Sequence, residues 1–463
     1  MMGQKKFEMK QYHNLSLDAL VSPSDLYRKI DNAIDFRFIY DLAKEAYSNT
    51  GQPSLDPVVF FKLELVGFLE GIHEDRALER RVKDSLAIRW FLGYDLDEAM
   101  PVHSTISRSR KDRISKTVYQ AVFDHILGVC IRLQLVKGHH QSIDSTLLKA
   151  NASLESLEIL QPRVLEHYKK TVGGNSEDSK DNGEPPASGN CGTSRRDQEA
   201  KAAKKPGFPG AAYYKASASV DESFGIITHA QVDDANKNDS ELLRSIAQQT
   251  KECLLRNRLD FKSLATDKGF FSAENLNWLD QESLTAYMTP RRLAAIKGDF
   301  AREKFRYDAE NDEFICPEEK RLHFRQVDQE LPHLRRYRAH EKDCRLCPQK
   351  TLCTKGKART FQVSIYENLI TAALERSKTQ KGKEMDRLRR IQAEGTFANL
   401  KEVLKFKKVY SLGLQTATKR FIMGCAVINL KKLLRFWRDL FRFLEESFHF
   451  SKHITANAGY FAF

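Results

Sequence analysis

Apolar and polar positions alternate along the chain with two different periods. From residue 1 to about 135 the period is helical. In "SLDPVVFFKLELVGFLEGI" Asp56 can cap free N–H groups, Pro57 suits the first helical position, and Gly71 can end the run. "EDRALERRVKDSLAIRWFLGYDL" continues at helical spacing, and "PVHSTISRSRKDRI" predicts a further helix capped by Ser104 or Thr105. Its basic face carries Arg108 and Arg110. The pattern then turns β-like. "GHHQSIDSTLLKANAS" reads as a strand that ends at Asp144, and "AAYYKASASVDE" with "FGIITHAQVDDA" reads as a hairpin turning at "DESFG". "NDSELLRSIAQQTKECLLRN" is an amphipathic helix capped by Asn238 or Asp239. A short strand, "FKSLATDKGFFS", ends at Asp267, and a helix and the strand "LTAYMTP" follow. Strand, hairpin, helix, strand, helix, strand predicts an α/β fold with a mixed sheet flanked by helices.

Four segments result. Residues 1–135 read as a helical N-terminal domain, either a DNA-binding module or an ordinary helical bundle with solvated Arg and Lys, and 136–290 as the first part of an α/β core. Within that core, about 160–210 is polar and rich in Gly, Ser and Pro, which reads as a flexible insertion with little to bury. Residues 291–360 are a basic insertion with four Cys, and 361–463 return to helices. No internal repeat is evident.

Composition narrows the partners. Lys and Arg exceed Asp and Glu by 13, and the pI is about 9.2, a balance that favours a polyanion, nucleic acid first. Hydrophobic residues are 41% of the chain, enough for substantial cores. No run of about 18 apolar residues occurs and the first residues lack an apolar leader core, so a cytoplasmic protein with no membrane partner is expected. The amphipathic "LLRFWRDLFRFLEESFHF" near the C-terminus reads as a core helix or an oligomer contact.

The candidate chemistry lies in carboxylates. If the strands ending at Asp144 and Asp267 are neighbours, both acids meet at the carboxyl edge of the sheet, where such folds bind ligands. Two carboxylates a few ångströms apart stay ionised comfortably only with a cation between them, and hard oxygen ligands suit Mg²⁺ or Mn²⁺. A third acid is sought on a helix, in "DRLRRIQAEGTFANLKEV". At about 100° per residue, with Glu394 at zero, Arg390 falls near −40°, Arg387 near +20° and Lys401 near −20°. An acid with three cations on one stripe is either a metal–phosphate face or an ordinary solvated charged face.

Cys316, Cys344, Cys347 and Cys353 form a C-x27-C-x2-C-x5-C pattern. In a reducing compartment these are either ligands of a structural Zn²⁺ or four free thiols, and His323, His333 or His340 could replace one ligand. The basic run "HLRRYRAHEKDCR" invites phosphate contact. Cys130, Cys253 and Cys425 fall in helical runs and are expected in the core. His139 and His140 read as surface residues before a strand.

The run "RRIQAEGTFANLK" resembles the signature of bacterial insertion-sequence DDE transposases, in which an Arg precedes the Glu by four and a Lys follows it by seven. Arg390, Glu394 and Lys401 match, while Arg387 stands where the family has a Tyr. "SIDSTLLKANAS" and "ATDKGFFS" are similar to the first- and second-Asp motifs of one large subgroup. "GQPSLDPVVFFKLELVGFLEGI" with "RWFLGYDLDEAMPVHSTISRSR" is similar to its N-terminal domain. The resemblance runs from about residue 15 to 440 in family order. It implies an RNase H-like core with the triad Asp144, Asp267 and Glu394 on Mg²⁺, and a small zinc-ribbon-like four-Cys insertion before the Glu. It implies cleavage at terminal inverted repeats followed by 3′-OH strand transfer, on double-stranded DNA of the element ends and target, by a homodimer located in the cytoplasm at the nucleoid. Asp239 aligns with an acid often present in the family; its local setting reads first as a helix cap. A non-catalytic DNA-binding protein derived from a transposase, or a metal-dependent DNA nuclease, are the alternatives.

Overall fold

The structure, a computed structural model, describes residues 15–47, 54–152, 157–159, 192–194, 197–203, 211–289, 300, 304–329 and 331–458. The N-terminal region is helical. Helix α1 (Pro57–Leu69) starts where the sequence says: Asp56 Oδ1 accepts from the N–H groups of Val58 and Val59 at 2.7 and 3.1 Å, with Pro57 at the first position. Gly71, at φ +67°, lies just beyond its end. Phe60, Phe61, Leu63, Val66 and Phe68 make α1 apolar on every side, so it sits at the centre of its layer. Around it lie α2 (Asp75–Asp84), α3 (Leu86–Leu92), α4 (His103–Arg108) and α5 (Lys116–Arg132). Helix α4 begins before Ser104 and Thr105. Neither caps it; the carboxylate of Glu79 accepts from the His103 N–H at 2.8 Å and supplies the cap from a neighbouring helix.

Five strands form the core of the sheet: β1 (His140–Lys149), β2 (Ala211–Asp221), β3 (Ile227–Asp234), β4 (Ser263–Thr266) and β5 (Thr285–Tyr287). Their order is β3-β2-β1-β4-β5; β2 is antiparallel to β1 and β3, whereas β4 and β5 run parallel to β1. This is the mixed RNase H-like arrangement. Helices α6 (Asp239–Arg256) and α7 (Ala273–Gln281) cover one face through Leu242, Ile246 and Leu276, packed on Ile143 and Leu264. Asn238, one of the two expected caps, closes α6 in a reciprocal box with Glu241.

Two expectations about the strands need correction. β1 does not stop at Asp144; its ladder with the long β2 continues to Lys149, because β2 offers a partner along that whole length. Nor is 160–210 free of buried groups. Much of that stretch, with Cys191, lies outside the described residues, but Gly192–Ser194 and Lys201–Ala203 add short strands to the sheet. Asp197 is buried and accepts from the Tyr214 hydroxyl at 2.6 Å.

The insertion is a separate antiparallel sheet: β6 (Arg306–Asp308), β7 (Glu313–Ile315), β8 (Arg321–Val327), β9 (Leu334–Ala339) and β10 (Thr360–Ser364), in the order β10-β9-β8-β7-β6. Helix α8 (Glu367–Lys378) leads to α9, residues 380–403. In α9 an α-helix, Gln380–Arg389, is followed by a π turn, Arg390–Glu394, a short α segment, Gly395–Ala398, and a second π turn, Asn399–Val403. The last helix, α10 (Leu414–Ala458), buries Phe421, Cys425, Ile428 and Leu433. Cys130 and Cys253 are buried too. One buried cluster joins α1, α5, the α9 face of the sheet and α10, so residue 135 is not an edge of the core. Among the described residues no helix is long and apolar enough to cross a membrane.

Inside that cluster lies a charged knot. Glu64, 1% exposed, accepts from Arg110 Nε at 2.8 Å and from Arg420 Nη1 at 2.7 Å. Arg110 also grips Asp75 with both terminal nitrogens at 2.8 and 2.9 Å. At 4% exposure Arg110 therefore cannot reach DNA, which corrects its reading as part of a basic DNA-contacting face. Arg420 Nη2 donates to His73 Nδ1 at 3.0 Å, which leaves the His73 proton on Nε2 for the Leu404 carbonyl at 2.7 Å. Burial first, then the Arg420 charge, lowers the His73 pKa to about 4.

Two outcomes follow for stability. Glu64→Gln leaves two buried guanidinium groups short of a counter-charge and lowers unfolding free energy by roughly 3–5 kcal/mol in urea titration. Below its ordinary pKa of 6.5 the unfolded His73 binds a proton that the native state refuses until about 4. Stability therefore falls as pH drops through this window, by up to about 1.4 kcal/mol per pH unit. His73→Gln makes that slope shallower by up to one proton; an unchanged slope would show that His73 is not the titrating group.

Candidate active site

β1 and β4 are adjacent parallel strands in the register Ile143↔Thr266. One residue further, Asp144 and Asp267 leave the ladder at the same level. Asp267 ends β4 and caps the turn that follows, its Oδ1 accepting from the Gly269 N–H at 2.7 Å. Alternation puts Asp144 on the face opposite Ile143, together with Thr146 and Leu148. That face is covered by α9, whose Ala393, Phe397 and Leu400 share a buried cluster with Leu148 and Ala218. Glu394 is thereby brought over Asp144, and Lys401, at the second π turn, donates to the Thr146 hydroxyl.

The electrostatics agree with this placement. The half-buried Asp144 carboxyl is pushed up to about 6. Burial is the largest cause, and the negative charges of Asp267 and Glu394 add to it. The Ser145 N–H, 2.8 Å from Oδ1, and the Arg389 charge pull the other way. Acids separated by 123 and 127 residues along the chain thus act on one another through space.

The helical stripe drawn for α9 holds only in part, because a π turn carries one extra residue. Looking back from Glu394, the residue one turn away is Arg389, five positions before it, not Arg390. Arg389 Nη1 lies 3.0 Å from Glu394 Oε1, and its side chain is 8% exposed. Arg390 points outward and pairs with Asp386 at 2.7 Å; Arg387 is exposed. No periodicity argument could have found Arg389, because nothing in the residue types announces a π turn.

Asp239 is not the cap its local setting suggests. The cap is Asn238; Asp239 Oδ1 pairs with Lys215 Nζ at 3.0 Å, and a Cβ built on Gly269 would lie 2.8 Å from an oxygen of both Asp239 and Asp267. Gly269 thus lets two carboxylates close over its Cα. His140 opens β1 four residues before Asp144, half-buried and paired with the Ser263 hydroxyl. Arg108 is exposed on α4.

In the insertion, Cys316, Cys344, Cys347 and Cys353 line one small cavity. The Cys353 thiol is raised by burial first and then by the other three thiols, against the pull of Arg359. Cys316 Sγ accepts from the Lys320 N–H at 3.3 Å and Cys344 Sγ from the Arg359 N–H at 3.4 Å. His323 and His333 turn instead to Glu313 and Glu274, at 2.9 and 2.5 Å. His340 heads the short helix Glu341–Arg345 that carries Cys344. Among the described residues no three His, Cys, Asp or Glu side chains are drawn into a finished metal-holding group.

Two family models match the chain: the transposase domain DUF772 over residues 15–112, and a transposase DDE domain over 315–434, which contains Glu394. Asp144 and Asp267 lie between the matched stretches. Among curated proteins nothing matches. Solved structures give distant likenesses. The piggyBac transposase synaptic complex with hairpin DNA is 10% identical, with 88% of this chain and 73% of that chain covered and a TM-score of 0.31. The Mos1 transposase paired-end complex with the left transposon end is 10% identical, with 52% and 61% covered and a TM-score of 0.17. Found in this order along one chain, the two matched transposase domains make it a DNA transposase of the DDE type, of the insertion-sequence kind.

Proposed function

We propose that the chain binds the terminal inverted repeats of its own insertion sequence and carries out Mg²⁺-dependent strand cleavage, followed by strand transfer from the freed 3′-OH. The observation that carries this reading is the raised Asp144 carboxyl beside Asp267, at the carboxyl edge of two parallel strands and under Glu394. DDE transposases use divalent metal. Three carboxylates that disfavour one another's charge are a hard-oxygen donor set in need of cations, which fits Mg²⁺ or Mn²⁺. Asp144, Asp267 and Glu394 hold it, and Glu394 exchanges its Arg389 partner to do so. Bound there, divalent ions would supply Lewis-acid stabilisation of the charge that builds during phosphoryl displacement.

The chain's own residues position the DNA. Exposed Arg387 and Arg390, with Lys401 beside β1, neutralise phosphates next to the carboxylates, and Arg108 does so on the N-terminal helices. Arg389, already inside the site, steadies Asp144 and Glu394 as acids. Two inverted ends call for a two-fold assembly, so a homodimer in the DNA complex fits. The shared thiol cavity, with N–H groups aimed at two sulfurs, supports a structural Zn²⁺ on the four Cys. The protein then works on DNA at the nucleoid.

Asp144 gives a stability test without DNA. Its folded pKa of about 6 stands above the ordinary 3.8. The native state therefore loses stability as pH rises through that window and carries the full cost, up to about 3 kcal/mol, at pH 7. Asp144→Asn raises the melting temperature at pH 7 and changes it little at pH 4; Mg²⁺ stabilises the wild type and much less the variant. For activity, purified protein with Mg²⁺ and DNA bearing its element ends yields cleaved and joined products. Asp267→Asn lowers the rate at least about a hundredfold while DNA binding persists. Equal product from both proteins would reject the triad.

A further inference from the structure

The insertion sheet has one apolar face and one cationic face. Phe314, Leu322 and Tyr337 are buried on the first. The second opens into a cleft of about 1040 Å³ whose lining includes Arg325, Arg336, Arg338, Lys342 and Arg345 against two acids, Glu341 and Asp343. Strand pairing explains the concentration. β8 and β9 pair as His323↔Arg338, Phe324↔Tyr337 and Gln326↔Arg336, so Arg325 is an extra residue in a β-bulge. A bulge sets two residues against one and re-aims a side chain. Alternation from His323, which pairs with Arg338, already sets Arg325 on the face of Arg336 and Arg338; the bulge adds Gln326 to that face, opposite Arg336.

Partial pairing leaves the face cationic. Arg338 meets Glu341 at 2.5 Å and Arg336 leans on Asp328 at 3.6 Å. Among the described residues no carboxylate pairs with Arg325, Lys342 or Arg345, and all three are exposed. Lys342 and Arg345 stand on the helix that bears Cys344, so the thiol cluster fixes where those two charges project. Arg336 and Arg338 are two residues apart on one strand face, about 6.8 Å, or twice the 3.4 Å rise of one DNA strand.

We propose that this face is a second DNA-binding surface, outside the carboxylate site, that grips the phosphate backbone of duplex DNA without reading its sequence. The proposal rests on the chain acting on DNA. It assigns the bulged Arg325 and the Cys344 helix a binding role independent of cleavage.

The test is equilibrium binding of the full chain to fluorescent duplexes, with the element end and with a scrambled sequence, across a salt series. The variant is Arg325→Gln, Lys342→Gln and Arg345→Gln together, which breaks no ion pair. Binding to both duplexes weakens by the same factor, at least tenfold at 0.1 M salt. The slope of log affinity against log salt becomes shallower by about 2–3, near 0.9 for each phosphate left without its cation. Returning Lys at positions 325 and 345 restores about two-thirds of the lost slope, since phosphate contact needs charge and not a fork. An unchanged slope in a variant of unchanged melting temperature overturns the proposal and leaves the face to an acidic protein. So does an equal loss from Arg37→Gln, Arg256→Gln and Lys262→Gln outside the insertion, which would make the effect one of net charge. Joined products scored on the same wild-type preparation separate this surface from the strand-transfer activity. A protein that joins DNA while the insertion variant binds normally loses only this surface; one that joins nothing while the variant's slope changes keeps it.

Discussion

A carboxylate taken out of water must be given cations of its own, and Glu64 shows how far that requirement reaches. Its two guanidinium partners come from residues 110 and 420, and through His73 the second of them holds the carbonyl of Leu404. Leu404 directly follows the second π turn of α9. The helix that carries Glu394 is therefore anchored at its end by the N-terminal helices and by α10, and not only by its contact with the sheet. Arg420 also lies 4.7 Å over the Phe68 ring, so the charges are walled by aromatic carbon. A buried pair of this kind adds little net stability compared with apolar packing, but breaking it is costly, which makes it a device for fixing one arrangement. What it anchors is the end of the helix that carries Glu394.

The π turn has the same logic. It places Arg389 beneath Glu394 and beside Asp144, a cation in the midst of acids. Count the charges within this neighbourhood: Asp144, Asp239, Asp267 and Glu394 give four negative, and Lys215, Arg389 and Lys401 three positive. The site is short by one positive charge. A divalent ion held there, as proposed above, would reverse that sign. On that proposal, metal and DNA phosphates would each ease the other's entry.

Much of this was legible along the chain, where a feature depends on near neighbours. The Asp56–Pro57 start, the hairpin at residues 221–226, the box at Asn238 and the strand end at Asp267 are all local events, so local residue types determine them. The order of strands and helices followed from the periods. What was not legible depended on partners far away. β1 runs past Asp144 because β2 pairs with it, Asp197 is buried because Tyr214 reaches it, and Arg110 is hidden because Glu64 and Asp75 require it. The wheel that put Arg390 beside Glu394 assumed 3.6 residues per turn; one extra residue made the neighbour Arg389.

The insertion poses a different physical problem. Its sheet buries few large apolar side chains, Phe305, Phe314, Leu322 and Tyr337, too few to hold five strands alone. Cys316, Cys344 and Cys353 pack against that small core at the place where more apolar side chains would otherwise continue it. A staple among the thiols would stand in for the missing core. The contact of His333 Nδ1 with Glu274 Oε1 at 2.5 Å ties the sheet to α7, and so to the layer beneath β4. With the small core and the His333–Glu274 contact both behind the sheet, the opposite face has little need of apolar residues for its stability. It is free to be almost all charge, and the arginines there are set by the strand register instead of by packing.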